Sequence, residues 1–92
     1  MAFRVVEVQP TPNPNALKFM LDREISQRPT SYLDAGAATD DVIAKQLFAI
    51  PGVISLLFLG DFVTVNKSPD ANWADIKSRV KRVLSEVQGT EA

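Results

Sequence analysis

The stretch Val53–Lys67, VISLLFLGDFVTVNK, decides the fold. Its residues 53–59 form a nearly continuous apolar run, which is typical of a strand covered on both faces. Gly60 and Asp61 then supply a two-residue turn with glycine first, a combination that favours a tight β-hairpin. Phe62–Lys67 follows as the returning strand, so the hairpin is expected to lie in an antiparallel sheet.

A helix is predicted just before the hairpin. Thr39, Asp40 and Asp41 supply N-cap chemistry and negative charge at its start, and Pro51-Gly52 ends it. Its apolar residues recur three to four positions apart, as one buried helical face requires. They are Ile43, Ala44, Leu47, Phe48 and Ile50.

A second helix is predicted after the hairpin, from about Trp73 to Val87, with Gly89 as its C-terminal stop. Its apolar residues fall within one arc of about 100° when each residue advances by about 100°. They are Trp73, Ile76, Val80, Val83, Leu84 and Val87.

The amino-terminal part predicts two more strands, at residues 3–9 and 16–21. Prolines 10, 12 and 14 separate them, and each fixes its own φ and excludes helix. Residues 22–38 are expected to be a mobile loop, since Pro29 blocks a helix, although Tyr32-Leu33 suggests a short edge strand.

The predicted order β-β-(β)-α-β-β-α indicates an α+β fold. Two helices with one apolar stripe each suit a two-layer sandwich, with both helices on one face of a mostly antiparallel sheet. The chain of 92 residues is expected to be a single domain over residues 1–89, followed by a frayed tail at 90–92.

The composition excludes several classes of chemistry. The sequence contains no cysteine and no histidine, which removes disulfides, thiolate metal ligands and the commonest general base. A formal net charge of −1 does not favour nucleic-acid binding. We find neither a secretory signal nor a run long enough to span a membrane, so the sequence predicts a soluble, cytoplasmic, non-enzymatic protein without a cofactor.

Two charged groups are weaker candidate sites. Lys77, Arg79, Lys81 and Arg82 spread over the whole polar arc of the second helix, which favours a solvated face. The pair Lys77 and Lys81 nevertheless remains a candidate docking contact. The adjacent carboxylates Asp40-Asp41 are better explained as helix caps than as a metal or acid–base site.

The segment Thr11-Pro12-Asn13-Pro14-Asn15 is the main candidate interaction site. It is either a stiff connection between two strands or a preordered loop that presents Asn13, Asn15 and the following Lys18 to a partner at low entropic cost. The two interpretations are compatible.

The string TPNPNALKF at residues 11–19 resembles a signature of the amino-terminal domain of Nfu/NifU-type iron–sulfur scaffold proteins. AKQLFAIPGVISLLFLGDFVTVNK at residues 44–67 and the helix opened by Asn72-Trp73 resemble later parts of that domain. The resemblance implies the family's fold and a link to iron–sulfur maturation, with iron binding implied only for the family as a whole. In the full-length family a second domain carries the Cys-x-x-Cys pair that holds the cluster, and this chain has no cysteine.

The resemblance therefore implies a stand-alone accessory or adaptor domain that ligates no cluster and binds iron–sulfur assembly or client proteins. Thr11–Asn15 and Lys18 are its candidate interaction surface. Two alternatives remain open. One is an adaptor in an unrelated regulatory or stress process, since a fold does not fix a function. The other is weak binding of iron or another hard cation through carboxylates and amides.

Overall fold

Five strands and two helices make up the part of the chain that the structure, a computed structural model, describes: residues 3–34, 36 and 41–86. The elements follow one another in the predicted order, with the third strand present. They are β1 (Val5–Pro10), β2 (Ala16–Leu21), β3 (Ser26–Tyr32), α1 (Val42–Phe48), β4 (Val53–Gly60), β5 (Phe62–Lys67) and α2 (Trp73–Glu86).

The strands form one antiparallel sheet in the order β1-β2-β5-β4-β3. The predicted hairpin is β4–β5, and Leu59 pairs with Phe62 on either side of its turn. Gly60 has φ 57, a left-handed conformation that a side chain resists. The hairpin therefore supplies two of the three inner strands, which confirms its predicted place in the sheet.

Both helices pack on one face of this sheet and bury the core against it, as predicted for an α+β sandwich. Phe19, Val63 and Val65 contribute fully buried side chains from the strands, and Leu47 and Val80 contribute them from the helices. Alternation along each strand aims every second side chain at the helices, so the core lies between the two layers.

The expectation that β4 is covered on both faces is wrong. Leu56 and Phe58 are each 2% exposed, whereas Ile54 is 49% exposed and Leu57 and Leu59 are only half-buried. The physical reason is that both helices lie on the same side. An apolar run shows that a strand is hydrophobic, and it does not show whether a second layer covers it.

The expectation that residues 22–38 form a loop is wrong for Ser26–Tyr32, which is the edge strand β3. Thr30 pairs with Phe58, and the register shifts between Ser26 and Thr30, where Pro29 lies. Proline is tolerated in edge strands and at such irregularities because its missing N–H need not pair there. Tyr32, the suggested strand residue, does lie in β3.

Asp41 is the N-cap of α1, as predicted, and its Oδ1 accepts the backbone N–H of Ala44 at 2.9 Å. At the other end of the chain, Phe3 precedes β1 instead of belonging to it, and its N–H donates to the carbonyl of Leu84 at 2.8 Å. Several predicted positions lie outside the described residues: Thr39, Asp40, Val87, Gly89 and the tail at 90–92. Neither α1 nor α2, the helices of the described part, is long and apolar enough to cross a bilayer.

Two glycines at positive φ allow a matched stability test. A Cβ on Gly52, at φ 98, would lie 2.7 Å from Cβ of Ala71, whereas a Cβ on Gly60 would meet nothing within 4 Å. We expect Gly60→Ala to cost about 1 kcal/mol for its backbone conformation alone. Gly52→Ala should cost about 3 kcal/mol or more, because steric overlap adds to the backbone strain. Urea unfolding of both variants measures the difference, and equal losses would contradict the close packing at Gly52.

Candidate interaction site

The Thr11–Asn15 loop is built by hydrogen bonds between its own side chains and backbone. Oγ1 of Thr11 accepts the N–H of Asn13 at 3.1 Å and lies 3.0 Å from the carbonyl of Ala16. Oδ1 of Asn13 accepts the N–H of Asn15 at 2.9 Å. Such local bonds stabilise a turn in place of helix or strand. Together with Pro12 and Pro14 they give the loop one preferred shape.

Lys67, the last residue of β5, ties this loop to the sheet. Its backbone N–H donates to the carbonyl of Asn15 at 2.8 Å, and its Nζ donates to Oδ1 of the same residue at 3.1 Å. The Lys67 side chain also donates to the carbonyl of Ser68 at 3.2 Å. Lys67 is 7% exposed, and burial of an ammonium group is tolerated only when its donors are satisfied. The lysine is therefore part of the structure that holds Asn15.

Trp73, the first residue of α2, holds the loop from the other side. Its Nε1–H donates to the carbonyl of Pro14 at 3.0 Å. Its ring also lies under Lys67, with Nζ 5.8 Å from the ring centroid, a cation–π distance.

The short segment before α2 also has a side-chain hydrogen bond of its own. The Ser68 hydroxyl donates to the Asp70 carboxylate and lowers the pKa of that carboxyl.

The anchors Lys67 and Trp73 were not among the predicted site residues. Burial of Lys67 could have been predicted from the sequence. Side chains alternate along β5, so Lys67 falls on the same buried face as Val63 and Val65. The role of Trp73 could not have been predicted. Its place on the apolar face of α2 does not indicate that its ring nitrogen bonds a carbonyl 59 positions away.

The predicted partner residues lie in three separate places. Pro12, Asn13 and Pro14 are exposed in the loop. Lys18 instead lies on the sheet face opposite the helices, with Nζ 4.2 Å from the ring centroid of Phe62. Lys77 and Lys81 lie on α2, the first half-buried and the second exposed.

Lys81 lines a surface groove of about 580 Å³ between α2 and the start of β1. The two arginines of the predicted basic arc are engaged on the helix itself. Arg79 pairs with Asp75 at 3.1 Å, and Arg82 pairs with Glu86 at 3.4 Å. These exposed i,i+4 pairs fit a solvated helix face.

Asp41, the described half of the Asp40-Asp41 pair, is engaged as a cap. Besides Ala44, its carboxylate accepts the hydroxyl of Tyr32 at 2.9 Å. Within residues 3–34, 36 and 41–86, no three carboxylate, imidazole or thiol side chains come together in a way that could hold a metal ion.

The sheet face away from the helices carries a group of apolar side chains, which we call the open face. Across the strands Met20 pairs with Phe62, and Phe62 pairs with Leu59. Leu57 lies two positions along β4 from Leu59, opposite Thr64. The four apolar residues are half-buried and are not among those packed against the core. Lys18 and these four, Met20, Leu57, Leu59 and Phe62, define the open face.

The fold thus defines a two-layer α+β domain with a five-stranded antiparallel sheet, two helices on one side and an anchored proline-asparagine loop. The chain belongs to the family described as scaffold protein Nfu/NifU N terminal, whose model matches residues 6–90. The family expected from the TPNPNALKF string is confirmed.

Two longer relatives match this chain over only part of their own length. The chain is 37% identical over 81 residues to the mitochondrial NFU1 iron-sulfur cluster scaffold homolog of Drosophila willistoni. It is 32% identical over 80 residues to the mitochondrial NifU-like protein 5 of Arabidopsis thaliana. Each match covers 86% of this chain but only 28% and 29% of the respective relative. The chain therefore spans less than a third of these relatives.

Solved structures share the fold. The NMR structure of a NifU-like protein from Saccharomyces cerevisiae superposes with a TM-score of 0.80 at 28% identity, covering 92% of this chain and 77% of that one. The crystal structure of SAV1430 from Staphylococcus aureus gives a TM-score of 0.74 at 26% identity, covering 87% of this chain and 96% of that one.

A double-mutant cycle tests whether Lys67 holds the loop. Asn15→Ala should destabilise the protein less in a Lys67→Met background than in the wild type, because the bond between the two side chains is then already absent. We expect a coupling energy of about 1 kcal/mol from urea unfolding of the four chains. Lys77→Met is the matched control, since no hydrogen bond joins Lys77 to Asn15, and its effect should add to that of Asn15→Ala. Additive effects for Lys67 as well would contradict the anchor.

Proposed function

We propose that this chain is a non-enzymatic accessory domain in iron–sulfur cluster assembly that binds other proteins and does not itself ligate a cluster. The observation that carries the proposal is the family match over residues 6–90 in a chain that has no cysteine and no histidine. Clusters are held chiefly by cysteine thiolates. The side chains present suit recognition of proteins and not ligation.

The anchored loop supports binding through residues Thr11–Asn15. Its exposed residues Pro12, Asn13 and Pro14 sit on a backbone already fixed by Lys67 and Trp73. A partner would therefore bind without the cost of ordering a flexible segment. The partners we propose are iron–sulfur assembly or client proteins, with Lys77 and Lys81 as a second contact on α2.

Partner capture from the source cell tests this function. Tagged wild-type chain should recover cluster-assembly or iron–sulfur proteins, and the double variant Asn13→Ala, Asn15→Ala should recover at least about tenfold less of them, because the loop loses bonds that shape it. Lys45→Ala, an exposed substitution on α1, is the matched control and should retain them.

Reproducible recovery of only unrelated proteins would reject the iron–sulfur role and favour an adaptor in another process. Undiminished recovery by the loop variant would leave the proposed function unchanged and show that the loop is merely structural.

Imaging of the tagged protein in the same cells tests a cytoplasmic location, since the named relatives are mitochondrial.

Anaerobic incubation with ferrous iron and sulfide tests whether the chain ligates a cluster. We expect no visible charge-transfer absorption above that of a protein-free mixture, because the chain offers no thiolate or imidazole. Titration with ferrous iron alone should give only diffuse amide shifts. Saturable shifts localised on Asp, Glu or Asn would instead support weak hard-cation binding, and a stable chromophore would contradict the proposal.

A further inference from the structure

In the part of the chain that the structure describes, the open face is the side of the sheet that neither α1 nor α2 covers. Met20, Leu57, Leu59 and Phe62 project from it, half-buried by their strand neighbours and outside the core packing. Contiguous apolar side chains with a polar surround are typical of a site that binds another protein.

The dimensions of this surface suit a single helix. Met20, Phe62 and Leu59 lie side by side on β2, β5 and β4. Neighbouring strands are about 4.8 Å apart, so three strands give an apolar strip about 10 Å wide, close to the diameter of one α-helix.

Polar side chains border the strip on both sides, as at the rim of a protein interface. From the pairing registers, the bordering residues on the same face are Glu7, Gln9, Ser31, Ser55 and Asn66, and Thr64 lies within the strip between Lys18 and Leu57.

The position of Lys18 within the apolar group indicates the chemistry of the partner at that point. Nζ of Lys18 lies 4.2 Å from the centroid of the Phe62 ring. Within the described part of the chain it makes no ion pair or hydrogen bond with another side chain. An ammonium group beside an apolar strip favours a carboxylate on whatever packs there, because the bond between them is charge-assisted and partly shielded from water.

We propose that the open face binds an amphipathic α-helix of a protein partner, with the helix's apolar stripe on Met20, Leu57, Leu59 and Phe62 and one of its carboxylates on Lys18. The proposal extends the proposed function by naming a second surface and the kind of element that it recognises. This surface is separate from the Thr11–Asn15 loop.

A displayed library of helix-constrained peptides is the probe. Selection on the wild-type chain should yield peptides with apolar residues at i, i+3 or i+4 and i+7 and an Asp or Glu beside them. Amide shifts on binding should cluster on β2, β4 and β5. Lys18→Glu should weaken the selected peptide at least about tenfold, and exchange of the peptide's carboxylate for lysine should restore binding to that variant.

Two further variants complete the design. Lys45→Glu makes the same charge change at an exposed position of α1 and should leave binding unchanged. Leu57→Asn removes an apolar contact without altering charge and should weaken every selected peptide. Circular dichroism of each variant confirms that it is folded.

The proposal is overturned if no peptide is selected, if the selected peptides shift the Thr11–Asn15 loop or the helices instead, or if they show no preference for a carboxylate. Concentration-dependent dimerisation abolished by Leu57→Asn would also overturn it, by assigning the face to a second copy of this chain. Peptide binding at the open face without capture of iron–sulfur proteins would reject only the proposed function. Capture without peptide binding would reject only the helix site.

Discussion

The Gly60-Asp61 turn is the point at which the strands are joined into one sheet. It reverses the chain between β4 and β5. Its two backbone carbonyls also accept hydrogen bonds from the end of β2 and from the residue before β3. The carbonyl of Asp61 accepts the N–H of Leu21 at 2.7 Å, and the carbonyl of Gly60 accepts the N–H of Ile25 at 2.7 Å. The turn therefore fixes β4 against β5, the end of β2 and the approach to β3. Because side chains alternate along a strand, a slip of one residue here would exchange the buried and open faces.

This register gives the two faces of the sheet different chemistry. On the helix side it places Val63, Val65 and finally Lys67, so the same alternation that builds the core also delivers a buried ammonium group to the Thr11–Asn15 loop. On the other side it places Phe62 beside Met20 and Leu59, next to Lys18. The two faces of β5 thus contribute to both surfaces: Lys67 anchors the Thr11–Asn15 loop, and Phe62 belongs to the open face.

Local signals in the sequence predicted the elements whose stability is local. Asp41 caps α1 because its carboxylate needs only a neighbouring backbone N–H, and the bounds of β5 follow from a turn and an alternating run. Only the Tyr32 end of β3 was suggested, and the rest was taken as loop because Ser26–Tyr32 is polar and contains Pro29. Its pairing depends on β4, which is far away in the chain, and local propensity does not register such a partner. The one-sided cover of β4 was missed for a related reason, since the position of the helices is a property of the whole fold.

The candidate site was predicted less fully than the fold. The proline-asparagine loop could be found because prolines constrain the backbone directly. Its anchors could not be assigned, since the bonds to Lys67 and Trp73 span 52 and 59 positions. Lys18 was grouped with the loop by its nearness in sequence, whereas the strand turns it to the opposite side of β2 from the buried Phe19.

The place of β5 between β2 and β4 has a consequence for biosynthesis. The β1–β2 pair is synthesised before residues 62–67, so β2 at first has a free edge and an apolar side that nothing covers. Pairing of β2 with β5 is a long-range contact, and the loss of chain entropy on forming it must be overcome late in folding. The amino-terminal half is then the part of the nascent chain most in need of protection from aggregation. Completion of β5 at once pairs β2, buries Phe19 and secures Asn15.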